Sequence, residues 1–203
     1  MSRAILIGIA GGTGSGKTYF SNELKNSFSN DKTLLVNQDS YYKDQRYISL
    51  DVREKVNYDH PDAFDHTRML SDLQSLKNMK EVSIPIYDYK THLRTGSAWQ
   101  SPSSLVIVEG ILALHYTSIN SLYDYKVYIS TPEKTRLKRR IARDTARRGR
   151  TEKSVIDQFN RSVKKMHNTY VAKTKKYADI IIADQTDKIK AIEKIKILVK
   201  HKR

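Results

Sequence analysis

The chain is 203 residues long, enough for one α/β domain with a small insertion or lid, and its 38% hydrophobic content can fill a sizeable core. It has no cysteine, which excludes disulfides and thiolate metal centres. The formal net charge of +15 is compatible with nucleic acid, acidic lipid or a polyanionic small substrate as partner.

Ala4 to Ala10 is an unbroken apolar run ending in glycines, the pattern of a strand buried on both faces. It is too short for a signal peptide or a membrane span, so a cytoplasmic location without a membrane partner is expected. Gly11, Gly12, Thr13, Gly14, Ser15, Gly16, Lys17 and Thr18 match the P-loop pattern, two glycines five apart followed by Lys-Thr. Glycines let successive backbone N–H groups turn inward into an anion-binding nest, and the helix that follows adds its own unpaired N–H groups. Lys17 is placed to reach the β- and γ-phosphates of a triphosphate, and Thr18 to ligate Mg²⁺.

The spacing of Phe20, Leu24 and Phe28 predicts a helix over 18–28, and Thr33 to Val36 a second strand that ends at Asn37-Gln38-Asp39-Ser40. Leu70, Leu73 and Leu76 share one side of a helix predicted over 66–79, and residues 82–95 alternate in a strand-like way around Pro85. Leu105 to Val108, Lys126 to Ile129 and Ile180 to Ile182 are further buried-strand runs, the first closing at Glu109-Gly110. Thr131-Pro132-Glu133 reads as N-cap, N1 proline and acidic first turn of a helix that runs to about Arg148, with Gly149 at its end. Helices are also predicted over 152–168 and from about Asp187. No repeat or linker divides the sequence, so 1–203 is read as a single α/β domain of P-loop NTPase type, a parallel sheet flanked by helices.

Ligands of such sheets gather beyond the carboxyl ends of the strands, where Asp39 and Glu109 both stand. Phosphoryl transfer needs metal management and a group that orients or deprotonates the acceptor. Asp39 suits the general base and Glu109 the Mg²⁺ site, although spacing does not decide which acid serves which task. Basic residues concentrate between Arg136 and Arg150, eight of them against the single acid Asp144. Arg139, Arg143 and Arg147 share one helix face and Arg136 and Arg140 an adjacent one. Arginine makes multi-donor contacts to phosphate oxygens, so about 132–150 is read as a mobile lid over the triphosphate rather than a plain surface helix or a nucleic-acid groove. The lysine-rich C-terminal segment is read as a solvated helix face.

Several motifs stand in a fixed order along the chain: the P-loop, Gln38-Asp39-Ser40-Tyr41-Tyr42, and Tyr58-Asp59-His60-Pro61-Asp62-Ala63-Phe64-Asp65. Pro85-Ile86-Tyr87-Asp88-Tyr89, Glu109-Gly110-Ile111-Leu112-Ala113, Arg139 to Asp144 with Arg148-Gly149-Arg150, and Lys176-Tyr177-Ala178-Asp179 follow. From about Ile5 to Asp187 the chain thus resembles the uridine-cytidine kinases, in the P-loop kinase group that also holds phosphoribulokinase and pantothenate kinase. The resemblance implies transfer of the γ-phosphate of ATP or GTP to the 5′-hydroxyl of uridine or cytidine, with Mg²⁺, giving UMP or CMP in pyrimidine salvage. It implies Asp39 as the base, with Lys17 and Arg143 as further catalytic groups and Tyr42 beside the base. Asp65 would hold the ribose hydroxyls, Phe64 and Tyr89 would wall the pocket, and Tyr87 and His92 would read the pyrimidine from a β-hairpin at about 82–95. Arg140, Arg150 and Gln158 match positions around the nucleoside, Arg148 and Asp187 positions at the triphosphate, and Thr18 and Glu109 the metal. A homo-oligomer, commonly a tetramer, is implied as well. Ala183 to Asp187 replaces the family's Pro-x-Gly-type turn after the last strand, which leaves the donor, ATP or GTP, open.

Two other readings stand beside this one. A sibling kinase acting on a sugar phosphate or pantothenate would need cations at the acceptor mouth, and Lys90 and Arg94 are the candidates. A P-loop NTPase module that binds nucleic acid would need an aromatic stacking platform beside a basic groove, which the sequence does not display.

Overall fold

The computed structural model describes residues 3–28 and 33–202. Its first strand, β1 (Ile5–Gly11), is buried along its whole length, as an unbroken apolar run requires. Helix α1 (Lys17–Asn26) follows the P-loop, and β2 (Thr33–Asn37) leads into a 3₁₀ turn at Gln38–Tyr41. After the short α2 (Leu50–Arg53) and a 3₁₀ turn at Pro61–Ala63 come α3 (His66–Lys77), β3 (Val82–Asp88), β4 (Leu93–Gln100) and β5 (Leu105–Glu109). The short α4 (Thr117–Asn120), β6 (Tyr125–Ile129), α5 (Glu133–Arg147), α6 (Glu152–Gln158) and α7 (Lys164–Met166) lead to β7 (Ile180–Ile182) and α8 (Gln185–His201).

Five strands form a parallel sheet in the order β2-β5-β1-β6-β7. Alternation along β1 sends Leu6 and Ala10 to one core and Ile5, Ile7 and Ile9 to the other. The second core is closed by Phe20 and Leu24 of α1 and by Ala191, Ile195 and Val199 of α8. The first is closed by Met69, Leu73 and Leu76 of α3, with Tyr41, Phe64, Ile119 and Val171. Each fully buried Leu, Ile or Phe contributes about 1.5–3 kcal/mol, so these two layers fix the sheet on which the strand-end residues are mounted.

Strands β3 and β4 form a separate antiparallel hairpin, running five residues beyond the predicted 82–95 to Gln100. Its turn is built by Asp88, which accepts from the N–H groups of Lys90 and Thr91, and by His92 in the left-handed region at φ 54°. Arg94 pins the hairpin to the domain. Its Nε donates to the Tyr42 carbonyl at 2.8 Å, and its other nitrogens reach Asp65 at 3.2 Å and the Tyr41 carbonyl.

The helix predicted over 152–168 continues as one helical run to Tyr177, with π-helical turns at Phe159–Val163 and His167–Val171 and a 3₁₀ end at Ala172–Tyr177. The wide turns compensate the drift of a 3.6-residue period and keep Val155, Phe159, Val163, Met166, Val171 and Thr174 on the buried side. Helix α8 starts two residues earlier than its predicted start, because Asp184 accepts from the Asp187 N–H at 2.9 Å and so acts as the N-cap.

Candidate active site

The P-loop joins β1 to α1, and left-handed backbone at Gly14 (φ 73°) and Gly16 (φ 100°) curls it around an open centre. A methyl group on Gly14 would also collide with the Arg136 carbonyl, so glycine there lets α5 pack directly on the loop. Lys17, 8% exposed, donates to the Gly12 carbonyl at 3.2 Å. The Thr18 hydroxyl donates to Glu109 Oε1 at 2.9 Å. Parallel register sets Ile9, Asn37 and Glu109 at one level, and Asp39 follows two residues past Asn37. Asn37 accepts from the Asp39 N–H at 2.9 Å, closing the turn that carries the acid.

Charge at this centre is balanced but desolvated. Burial holds the Lys17 ammonium below its ordinary value, opposed by Glu109 and Asp39. Burial raises Glu109, opposed mainly by Lys17. Asp59 is raised in the same way, opposed by Arg140, with Asp39, Lys17 and Arg143 also acting on it. Asp39, Asp59, Glu109, Lys17, Arg140 and Arg143 thus form one set of interacting charges beyond the strand ends, where a triphosphate and its acceptor would meet.

The acceptor side is an aromatic box. Tyr42 packs on Tyr87 at 5.0 Å and edge-on to Tyr58 at 5.1 Å, while Tyr58 stacks on His92 at 4.7 Å and 11°. His92 Nδ1 lies 3.2 Å from the Tyr87 hydroxyl, and burial lowers its pKa, so the ring is neutral at pH 7. Tyr89 donates to Asp39 Oδ2 at 2.9 Å.

Helix α5 is folded down on the P-loop. Arg140 donates to the Thr13 hydroxyl at 3.1 Å and to Gln158 Oε1 at 2.8 Å, and Arg139 reaches the Ser15 carbonyl. Gln158 Oε1 also accepts from Arg150. Asp144, fully buried, accepts a hydrogen bond from Arg143 at 2.8 Å and forms ion pairs with Arg140 at 3.5 Å and Arg148 at 3.6 Å. One carboxylate is therefore the shared counter-charge of three guanidinium groups. The face turned inward is Arg136, Arg140 and Asp144; Arg139 and Arg147 of the expected stripe are exposed, and Arg143 lies between the two faces.

Two residues expected at the acceptor also have structural partners. Phe64 is 0% exposed and stacks behind Tyr42 at 4.4 Å, so it supports the wall without lining the pocket. Asp65 Oδ1 accepts from the Arg68 N–H as the N-cap of α3, and Oδ2 pairs with Arg94. Asp187 accepts from the Ala183 N–H at 3.0 Å, closing the turn into α8, whose Lys188 pairs with Glu23 of α1 at 2.9 Å. The sequence reading passed over Asp59, Tyr58 and Asp144. The segment 58–65 carries three acids, and spacing does not tell which one turns inward; the structure turns in Asp59, caps a helix with Asp65 and leaves Asp62 in solvent.

The family model described as Phosphoribulokinase / Uridine kinase family matches residues 6–190. The chain belongs to that family. It is 45% identical over 185 residues to the uridine kinase of Clostridium novyi (strain NT), covering 91% of this chain and 89% of that one. To the uridine kinase of Streptococcus equi subsp. zooepidemicus it is 42% identical over 196 residues, covering 96% and 94%. Its fold matches phosphoribulokinase from Rhodobacter spheroides at a TM-score of 0.65 and 16% identity, over 89% of this chain and 70% of that structure.

Among the described residues no cluster of three or more His, Cys, Asp or Glu could hold a metal by itself, and no helix is long and apolar enough to cross a membrane. The hydroxyl of Thr18 beside the carboxylate of Glu109 is the hard-oxygen pair that suits Mg²⁺, an ion that takes one or two protein ligands and completes its shell with phosphates and water.

Proposed function

We propose that the protein transfers the γ-phosphoryl group of ATP or GTP to the 5′-hydroxyl of uridine or cytidine, giving UMP or CMP and the nucleoside diphosphate. The observation that carries this reading is the position of Asp39, within the field of Lys17 on the P-loop side and hydrogen-bonded to Tyr89 of the aromatic box on the other. In this reading the 5′-oxygen attacks the γ-phosphorus, its proton passes to Asp39, and the bridging oxygen leaves with the diphosphate. Lys17 and Arg143 oppose the charge that develops on the transferred group, and the arginines of α5 exclude water from it. Mg²⁺ held by Thr18 and Glu109 would screen the triphosphate oxygens.

The ribose hydroxyls are assigned to Asp59, whose carboxylate faces the cleft and suits acceptance of two hydrogen bonds, in place of Asp65. The pyrimidine lies against Tyr42, Tyr58 and Tyr87, with His92 at its edge. Arg140, Arg150 and Gln158 form one bonded group assigned to the nucleoside, while the triphosphate roles assigned to Arg148 and Asp187 rest on the family resemblance alone. A cytoplasmic homo-oligomer, a tetramer in its common form, completes the proposal. A phosphorylated acceptor is disfavoured, because Arg94 is committed to Asp65 and to two backbone carbonyls. The test is diphosphate release with Mg²⁺, ATP or GTP and a panel of uridine, cytidine, adenosine, ribulose 5-phosphate and pantothenate. Turnover on the two pyrimidine nucleosides is expected; turnover on another acceptor alone overturns the reading of the box.

A further inference from the structure

Tyr89 sits where three elements meet. It follows the last residue of β3 in the hairpin that walls the acceptor pocket. Its hydroxyl donates to Asp39 Oδ2 at 2.9 Å, while the ring lies under the Arg148 guanidinium, whose central carbon is 4.0 Å from the ring centroid. Tyr87 meets the same ring edge-on at 5.5 Å. Arg148 is itself held by Asp144, the buried carboxylate of α5. A pocket wall needs only the ring. The hydroxyl does something else: it occupies one oxygen of the carboxylate and thereby fixes how the other is aimed.

We propose that Tyr89 is a positioning residue for phosphoryl transfer, its hydroxyl fixing the Asp39 carboxylate so that the free oxygen faces the acceptor hydroxyl. The proposal rests on the reading of Asp39 as the base. Asp39 has few other restraints: its backbone N–H is tied to Asn37, but that bond fixes the turn and leaves the side-chain torsions free. Two ring contacts from opposite sides of the cleft hold the phenol in place, one from the hairpin and one from the end of α5. A base misaimed by a fraction of an ångström loses rate without losing substrate affinity, because alignment matters at the moment of transfer and not on binding.

The test is a double-mutant cycle between Tyr89→Phe and Asp39→Asn, with ATP, Mg²⁺ and uridine, and with labelled product followed under single-turnover conditions in the slow backgrounds. Phenylalanine keeps the ring and its contacts and removes only the hydroxyl. Tyr89→Phe is expected to lower kcat about ten-fold while KM for uridine and for ATP stay within about two-fold. In the Asp39→Asn background the same change is expected to alter kcat by less than about two-fold, since there is no base left to aim. An equal fall in both backgrounds, or a raised KM for uridine with kcat unchanged, overturns the proposal and makes the hydroxyl a substrate or wall contact. Near-normal kcat in Asp39→Asn alone is a separate outcome, which removes Asp39 as the base and takes the positioning role with it.

Discussion

Lys17 and Asp59 show how burial turns ordinary side chains into site residues. Lys17 is one of many lysines, yet only at the start of α1, beneath the strand ends, is its ammonium desolvated between Glu109 and Asp39. Lys17→Ala should reduce kcat/KM for ATP by about three orders of magnitude, the loss of a charge-assisted contact to the transferred group, read by steady-state kinetics. Asp59→Asn keeps the shape and removes the charge that faces Arg140. It should raise KM for uridine about ten- to hundred-fold, as expected for hydrogen bonds to a charged group, with KM for ATP changed less than about two-fold. Equal effects on both constants would make Asp59 a support of Arg140 rather than a nucleoside contact. The surroundings of Asp59 were unreadable in the sequence because the charges that act on it, Arg140 foremost, stand eighty-one positions away.

At the scale of elements, α5 is organised by one buried acid. The high density of arginine was visible in sequence and the helix that carries it packs on the P-loop, but its inward face was not legible. Periodicity groups Arg139, Arg143 and Arg147 as readily as Arg136, Arg140 and Asp144, and only the close approach to Gly14 selects the second set. Asp144→Asn should leave Arg140, Arg143 and Arg148 without their shared counter-charge. Its expected effect is a rise in KM for ATP of about ten-fold or more together with a lower melting temperature, since unpairing a buried charge is costly. A variant with unchanged KM for ATP and unchanged melting would show that the lid does not depend on Asp144. The strands, α1, α3, α5 and the ends of the sheet were legible because each is a local pattern. The two π-helical turns after α6 were not, since they answer to a core assembled from Val171 and residues far from it in sequence.

For the molecule as a whole, the net charge of +15 resolves into distinct uses. Part of it surrounds the phosphate site, part is paired on the surface, as in Lys188 with Glu23 and Lys202 with Asp124, and much of the rest is solvated on α8. The structure also makes stability depend on acidity through His167, whose pKa is lowered to about 4, first by burial and then by Arg136. Its ordinary value is 6.5, so between these two pH values the unfolded chain binds a proton that the folded one refuses. Stability supplied by the neutral ring is complete above pH 6.5 and is lost as pH falls toward 4. Melting curves should therefore drop more steeply over this range in the parent than in His167→Leu; parallel curves would show that His167 is protonated without cost.

In the proposed reaction a triphosphate donor passes its γ-phosphoryl group directly to a nucleoside 5′-oxygen. This transfer is tested most directly with uridine carrying ¹⁸O at the 5′ position, ATP and Mg²⁺, and mass analysis of the product. Direct transfer gives UMP that retains the label in its ester bridge, formed in step with ADP. Release of ADP and inorganic phosphate with unchanged labelled uridine would contradict it.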